Sequence, residues 1–263
     1  MQPTTSARPD HPRRCPVRAH STIAVTILLL LNLACGSSNS SEDRLGTRRS
    51  PGFAVERERM IKDQLESRGI RDKRVLSAML TVPRHRFAPD LDPSRAYEDR
   101  PHSIGVGQTI SQPYIVALMT ELAEVEPPCK VLEVGTGSGY QAAILAEIGC
   151  SVYSIEIIES LALRAREILD AEGYGDRVHT RIGDGYRGWP EEAPFDAIVV
   201  TAAEPRVPRP LLEQLRVGGR LVIPVGDLSQ MLEVHRRTET GFDRKRVSGV
   251  RFVPMTGEVR REP

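Results

Sequence analysis

The strongest constraint on the fold of this 263-residue chain is a regular alternation of short apolar runs and longer amphipathic segments. The short runs are rich in β-branched residues, which is typical of strands, and the segments between them have helical periodicity. Strands are predicted at 130–134, 151–156, 178–184, 195–202 and 220–226, and helices at 140–149, 157–173 and 208–219. This alternation predicts a doubly wound α/β fold, with helices on both faces of a parallel sheet.

The two ends of the domain do not follow this alternation of strands and helices. Strands predicted at 230–238 and 245–255 are separated only by a turn around Gly241, and such a short connection forces antiparallel pairing. The sheet is therefore predicted to be mostly parallel, with an antiparallel C-terminal strand pair. Before the alternation, the apolar spacing predicts helices at 57–70, 72–82 and 114–125, with a loop-rich region at 83–113.

A glycine turn follows the first predicted parallel strand. In VLEVGTGSGYQ, residues 131–141, the glycines are Gly135, Gly137 and Gly139. A dinucleotide-binding turn has the third glycine five residues after the first, whereas here the interval is four. A P-loop would require Lys-Ser or Lys-Thr after the glycines, and a nucleophile elbow would require the pattern GxSxG; this segment has neither.

The remaining pattern is an acidic residue, Glu133, then one residue, then GxGxG. It resembles motif I of class I S-adenosylmethionine-dependent methyltransferases. The resemblance implies that S-adenosyl-L-methionine is the donor, because an acid at a strand end favours its ammonium group and glycines let the backbone approach the ligand. The binding residues it implies in this segment are Glu133, Gly135, Thr136, Gly137, Ser138 and Gly139.

Two further acidic residues lie at the ends of the next two predicted strands. Glu156 ends the second strand and could accept hydrogen bonds from ribose hydroxyls, and Asp184, between Gly183 and Gly185, could accept from the adenine amino group. Each acid alone is also consistent with a helix cap or a solvated loop residue. Acids at three successive strand ends, together with the glycine turn, favour the nucleoside site and a Rossmann-like methyltransferase fold.

The flanking segments narrow the class further. VPRHRFAP, GQTISQP, GDGYRGWPEEAPFDAI and the late VRFVPM together resemble protein-L-isoaspartate O-methyltransferases from about residue 56 to about residue 255. The resemblance implies methylation of the free carboxylate of isoaspartyl residues in damaged proteins, which starts their repair. Isoaspartyl proteins and peptides are then the partners, and S-adenosyl-L-homocysteine is the product.

This reaction requires little acid–base catalysis by the protein. A carboxylate is already ionised at pH 7, so it needs no general base. Placement of the reactants and exclusion of water are then the main contributions expected of the protein. The resemblance implies that Ser111 is the active-site serine at the substrate carboxylate, with Gln108, Thr109 and Ile110 shaping the same loop. The alternative is that Ser111 or Thr109 only caps the helix that starts near Pro113.

Composition excludes several other classes. The formal net charge is only +1, which does not favour nucleic acid as a partner. The histidines lack metal-ligand spacing, so no metal site is expected. The cysteines form no CxxC pair. Cys129 and Cys150 precede neighbouring strands; a disulfide is conceivable in an oxidising compartment, but free thiols are expected in the cytoplasm.

The N-terminus lies outside the methyltransferase pattern. Arg13, Arg14 and Arg18 precede an uncharged apolar run at 21–35, which is the layout of a secretory signal. Cys35 after Ala34 is similar to the lipidation site of a bacterial lipoprotein, although Asn32 stands where an apolar residue is usual. The alternative is an upstream extension before a soluble enzyme. The predicted segments are a leader at 1–35, a disordered linker at 36–55 and the methyltransferase domain at 56–263.

Four functions remain in competition at this point. The favoured one is a protein-repair methyltransferase that works as a monomer in the cytoplasm, where the methyl donor is made. An exported form anchored through Cys35 is the alternative location. The competing functions are a methyltransferase of another acceptor, a nicotinamide-dependent oxidoreductase, which the glycine spacing disfavours, and a non-catalytic envelope-anchored protein of the same fold.

Overall fold

Seven strands form the central sheet, in the order β5-β4-β3-β6-β7-β8-β9, and a separate two-stranded hairpin, β1-β2, precedes it in the chain. The structure is a computed structural model that describes residues 52–257; the predicted leader, Cys35 and most of the predicted linker lie outside the described residues. The strands are β1 His102–Gly105, β2 Gln108–Ile110, β3 Cys129–Val134, β4 Cys150–Glu156, β5 Val178–Ile182, β6 Phe195–Val200, β7 Leu215–Val225, β8 Gln230–Arg237 and β9 Phe242–Val250.

The pairing within the sheet confirms the predicted architecture. Strands β5, β4, β3, β6 and β7 are parallel, and β8 and β9 are antiparallel to their neighbours. The chain winds outward from β3 to β5 and then crosses to β6, so the winding direction reverses between β3 and β6. Ligands of doubly wound sheets bind at the carboxyl side of such a reversal.

Helices cover both faces of the sheet. They are α1 Ala54–Arg59, α2 Lys73–Thr81, α3 Pro113–Ala123, α4 Tyr140–Ile148, α5 Glu159–Ala171 and α6 Arg209–Glu213. In β3, Val131 packs into the larger core with α2, α3 and α4, whereas Leu132 and Val134 pack into the second core on the opposite face. Both faces of the strand are buried, which explains why its sequence is a continuous apolar run rather than an alternating one.

Two predicted helices differ from the observed ones. Beyond α1, residues Met60–Leu65 form a π-helical segment and Glu66–Arg68 a 3₁₀ turn, before Gly69 ends the helix as predicted. The helix predicted at 208–219 is wrong in its second half, because α6 ends at Glu213 and β7 already begins at Leu215. At Gly219 a Cβ would lie 2.9 Å from the Asp196 carbonyl oxygen, so the glycine lets β7 pass close to β6.

Of the two alternatives for Cys129 and Cys150, the structure shows the disulfide and not the free thiols expected in the cytoplasm. The two residues are register partners at the first positions of β3 and β4, with their Cα atoms 4.5 Å apart, and they form a disulfide. Parallel pairing in register brings the two side chains to the same face of the sheet edge, and this separation lies within the range that a disulfide bridges. The disulfide therefore links β3 and β4 at the end opposite to their carboxyl termini.

Candidate active site

A cleft opens beside the carboxyl ends of β3, β4 and β6. One wall consists of residues at or just after the ends of the sheet strands, and a second wall comes from the β2 region of the hairpin and from α3. The predicted site residues that line the cleft are Gln108, Thr109, Ile110, Ser111, Glu133, Gly135, Thr136, Gly137, Ser138, Glu156 and Gly185.

The glycine turn lies against the end of β6. Gly135 has φ +97°, and a Cβ there would lie 2.4 Å from Thr201 Oγ1. The Thr201 hydroxyl in turn donates to the Gly135 carbonyl oxygen at 2.5 Å. Gly139 has φ +84° and is the N-cap of α4, outside the cleft lining, so it turns the chain into the helix rather than facing the ligand space. The glycines therefore permit a left-handed, closely packed turn that residues with side chains rarely adopt.

Glu133 is a fully buried carboxyl group at the bottom of the cleft. Its Oε2 accepts a hydrogen bond from Ser154, its register partner on β4, while Oε1 has no hydrogen-bond partner within the described residues. Burial raises the pKa of Glu133 to about 8; the Ser154 hydrogen bond lowers it, and the neighbouring Glu156 carboxylate raises it. A buried acceptor without a partner fits a cationic donor in the ligand, such as an ammonium group.

Glu156 and Asp184 have different surroundings. The Glu156 carboxylate accepts from the amide N–H of Gly137 at 2.8 Å and of Ile158 at 2.9 Å. Each of its oxygens can accept a second hydrogen bond, which leaves capacity for ribose hydroxyls. Asp184 accepts from the Tyr186 amide at 3.0 Å as the cap of a 3₁₀ turn, and neither it nor Gly183 lines the cleft, although Gly185 does. The predicted contact of Asp184 with adenine stays a prediction.

Ser111 belongs to the second wall of the cleft, which comes from the hairpin and α3. The N-cap of α3 is Gln112, and no side chain caps this helix, so the alternative reading of Ser111 or Thr109 as a cap is not what the structure shows. Within residues 52–257 the Ser111 hydroxyl has no hydrogen-bond partner. A free hydroxyl on the cleft wall, next to the N-terminus of an eleven-residue helix, is suited to orient an anionic group.

Sequence reasoning missed part of the lining. Thr201, Tyr140 and the segment 253–256 also face the cleft. Thr201 could have been found, because it follows β6 and the carboxyl ends of neighbouring parallel strands meet at one edge of the sheet. Residues 253–256 carry no such signal. They are held at the site by pairing with Ala203: its amide donates to the Val253 carbonyl oxygen, and the Met255 amide donates to the Ala203 carbonyl oxygen.

His85 and Trp189 pack outside the cleft lining. His85 Nδ1 lies 2.7 Å from the Tyr97 hydroxyl, and its ring lies 4.9 Å from that of Phe53. Trp189 packs edge-on against Tyr153, with ring centroids 5.4 Å apart.

Comparison with known proteins decides the family. The model of the family described as protein-L-isoaspartate(D-aspartate) O-methyltransferase matches residues 55–260. This chain belongs to that family. A protein-L-isoaspartate O-methyltransferase of a Picosynechococcus species is 56% identical over 201 residues, covering 76% of this chain and 90% of that protein. One of Opitutus terrae is 52% identical over 233 residues, covering 88% and 97%.

Solved structures give the same family. A protein-L-isoaspartate O-methyltransferase matches with a TM-score of 0.71 at 29% identity, covering 77% of this chain and 67% of that one. A Plasmodium falciparum member in complex with S-adenosyl-L-homocysteine matches with a TM-score of 0.67 at 26% identity, covering 76% and 98%. The resemblance stated from the motifs is thereby confirmed, and so are the fold and S-adenosyl-L-methionine as the donor of this methyltransferase.

The donor set of the cleft fits this cofactor. Glu133 offers an unpartnered acceptor for the ammonium group, and the tight turn at Gly135 and Gly137 presents backbone to the ligand. Within residues 52–257, no cluster of His, Cys, Asp or Glu could bind a metal ion. In the same range, no helix combines the length and the apolar character that crossing a bilayer requires.

Proposed function

We propose that this protein methylates the free α-carboxylate of isoaspartyl residues in damaged proteins, with Ser111 as the residue that orients that carboxylate. The observation that carries the proposal is the arrangement of the cleft. Glu133 lies in one wall and can accept a hydrogen bond from the ammonium group of S-adenosyl-L-methionine, and Ser111 lies in the other wall with a free hydroxyl. A methyl donor and a carboxylate acceptor can therefore meet between them.

The residues of this chain have distinct tasks in the proposed reaction. Glu133, the 135–138 turn and Glu156 bind the donor, and Ser111 donates a hydrogen bond to the carboxylate. Bound S-adenosyl-L-methionine supplies an activated methyl group, which passes to a carboxylate oxygen while the sulfur retains the electrons of the broken bond. The protein adds proximity and a water-poor cleft, without a general base.

Methyl transfer from labelled S-adenosyl-L-methionine tests the proposal. The acceptors are an isoaspartyl peptide and the same peptide with normal aspartate. We expect labelling of the isoaspartyl peptide alone, and a loss in kcat of about 100-fold in Ser111→Ala. Ser103→Ala is the matched control, because Ser103 lies in the same hairpin on β1, outside the cleft lining, and its removal should leave kcat unchanged.

Other outcomes have definite meanings. Labelling of neither peptide, although S-adenosyl-L-homocysteine binds, would point to another methyl acceptor or to the non-catalytic alternative. Equal kcat in Ser111→Ala and the wild type would remove the proposed role of the serine and leave the activity intact.

We propose the cytoplasm as the location of the active form, since the donor is made there, and a monomer as its state. The Cys129–Cys150 disulfide supports the exported alternative, because disulfides persist mainly in oxidising compartments. Fractionation of cells that express the full chain tests the location, together with thiol labelling of the two cysteines. Acylation of Cys35 and confinement to membranes would overturn the cytoplasmic proposal. Light scattering of the purified protein tests the monomer.

A further inference from the structure

Arg84 is a fully buried charged side chain next to the active-site loop, and none of the tasks above uses it. Its Nε donates to the Ala96 carbonyl oxygen at 2.6 Å, and its Nη2 donates to the Ser111 carbonyl oxygen at 2.6 Å. The guanidinium carbon lies 4.9 Å from the centre of the Tyr140 ring. Since Ser111 and Tyr140 both line the cleft, the guanidinium lies directly behind its wall.

The charge of Arg84 has no counter-charge in the described part of the chain. Its hydrogen-bond acceptors are neutral carbonyl groups, and Nη1 has no hydrogen-bond partner there. Glu98, in the preceding loop, forms ion pairs with Arg95, Arg100 and His102 instead. Burial lowers the pKa of Arg84 to about 10, so the side chain is still protonated at pH 7.

A buried carboxylate on the antiparallel pair shows the compensated arrangement. Glu233 is buried and forms ion pairs with Arg244, Arg246 and His235. An uncompensated buried cation is costly, because its hydration is lost without a compensating anion. Arg84 lies behind the wall of the cleft that contains Ser111, where the substrate carboxylate binds in the proposed reaction. This position suggests that the substrate supplies the missing anion.

We propose that Arg84 is a positioning residue whose buried positive charge selects the ionised carboxylate of the isoaspartyl residue, acting through the wall that contains Ser111. This inference rests on the proposed function. The guanidinium fixes the backbone of Ser111 through its carbonyl group, and its field favours an anion over a neutral group of the same shape at the cleft. The carboxylate thus completes a charge pair that the free protein lacks.

The test compares two peptides that differ only in charge. One carries the isoaspartyl α-carboxylate, and in the other a neutral carboxamide replaces that group. Their dissociation constants are measured with the full chain in the presence of S-adenosyl-L-homocysteine, so that no transfer occurs. In Arg84→Met we expect the preference for the carboxylate peptide to fall about tenfold. In Arg84→Lys the preference is expected to remain, while kcat falls because one ammonium group replaces the two-armed contact with Ala96 and Ser111.

Arg177 offers a matched control. Its Nη1 donates to the Ala146 carbonyl oxygen at 2.6 Å, and its guanidinium carbon lies 5.5 Å from the centre of the Tyr174 ring, outside the cleft lining. Arg177→Met should therefore lower the stability without changing the preference between the two peptides. Affinity of Arg84→Met that falls equally for both peptides would overturn the proposal and leave Arg84 a purely structural residue.

A second measurement keeps the test informative if Arg84→Met folds poorly. The wild-type preference can be measured as a function of salt, because a buried charge is screened less than an exposed one. A preference that persists at high salt supports the proposal, and one that disappears contradicts it. Wild-type methylation of the carboxylate peptide is scored separately, so failure of this inference is distinguishable from failure of the proposed function.

Discussion

The two walls of the cleft are built in different ways. The donor wall consists of residues at or just after the carboxyl ends of β3 and β4, where strand pairing fixes the backbone. The acceptor wall consists of loop and hairpin residues before the sheet, and its backbone is fixed by the side chain of Arg84. The backbone near a strand end is fixed by strand pairing, which every sheet has. The backbone of a loop is fixed only by a specific contact with a residue distant in sequence.

Backbone strain also differs between the walls. In the turn of the donor wall, positive φ values fall on glycines, at 135, 137 and 139. In the acceptor hairpin, Val106 has φ +44° although it is β-branched, and its side chain is 60% exposed. A β-branched residue in the left-handed region is unfavourable, and such strain is common near functional sites. The donor wall is thus locally relaxed, whereas the acceptor wall stores strain.

The largest expected effect comes from Gly135→Ala in the donor wall. A Cβ would lie 2.4 Å from Thr201 Oγ1 at φ +97°, so either the turn or the end of β6 must move. We expect affinity for S-adenosyl-L-homocysteine to fall by more than about 100-fold and stability to fall by about 3 kcal/mol, measured by calorimetry and urea unfolding. Gly241→Ala, where a Cβ has nothing within 4 Å, is the control. Equal effects of the two substitutions would show that the turn tolerates a side chain.

The disulfide should stabilise the donor wall without affecting catalysis. Cys129 and Cys150 are separated by 21 positions, and replacing both by alanine is expected to lower the free energy of unfolding by about 3 kcal/mol. Because both lie at the first positions of their strands, kcat/KM at 25 °C should change less than about twofold. Urea unfolding in oxidising and reducing buffer provides the comparison. A variant as stable as the oxidised wild type would contradict the expectation.

Glu133→Gln should make binding of the donor product less dependent on pH. The pKa of Glu133 is raised to about 8 by burial, so the carboxyl is mostly protonated below that pH in the free protein. An ammonium ligand favours the carboxylate, so wild-type affinity for S-adenosyl-L-homocysteine should rise about tenfold from pH 6 to pH 8, with proton release on binding. Calorimetry in buffers of different ionisation enthalpy measures that release. The same pH profile in Glu133→Gln would assign the proton to another group.

The smallest expected effect is in the acceptor wall. Val106→Gly should raise the free energy of unfolding by about 1 kcal/mol, because glycine adopts φ +44° without strain. Val217, in β7 and 53% exposed, provides the matched control, since Val217→Gly removes a similar exposed side chain at a position without a positive φ and should destabilise the protein. Destabilisation by both substitutions would mean that the hairpin stores no strain.

The sequence predicted the donor wall better than the acceptor wall. Glu133, the glycines and Glu156 could be placed because each lies at or just after the end of a recognisable strand, and parallel strands bring their carboxyl ends to one edge of the sheet. The boundary of α6 was misplaced because 214–219 has helical spacing, yet the pairing of β7 with β6 overrides that local preference. Ser111 was named through the family resemblance, since its spacing alone also allowed a helix cap.

By itself, the sequence determined the fold class, the donor and the family, because strand periodicity, glycine turns and motif spacing are local properties of the chain. Only the tertiary structure decided which residues share the cleft, that Cys129 and Cys150 form a disulfide, and that Arg84 lies uncompensated behind Ser111. These facts depend on register between strands and on contacts across long stretches of chain. No local pattern encodes such contacts, because burial and missing counter-charges exist only after the chain has packed.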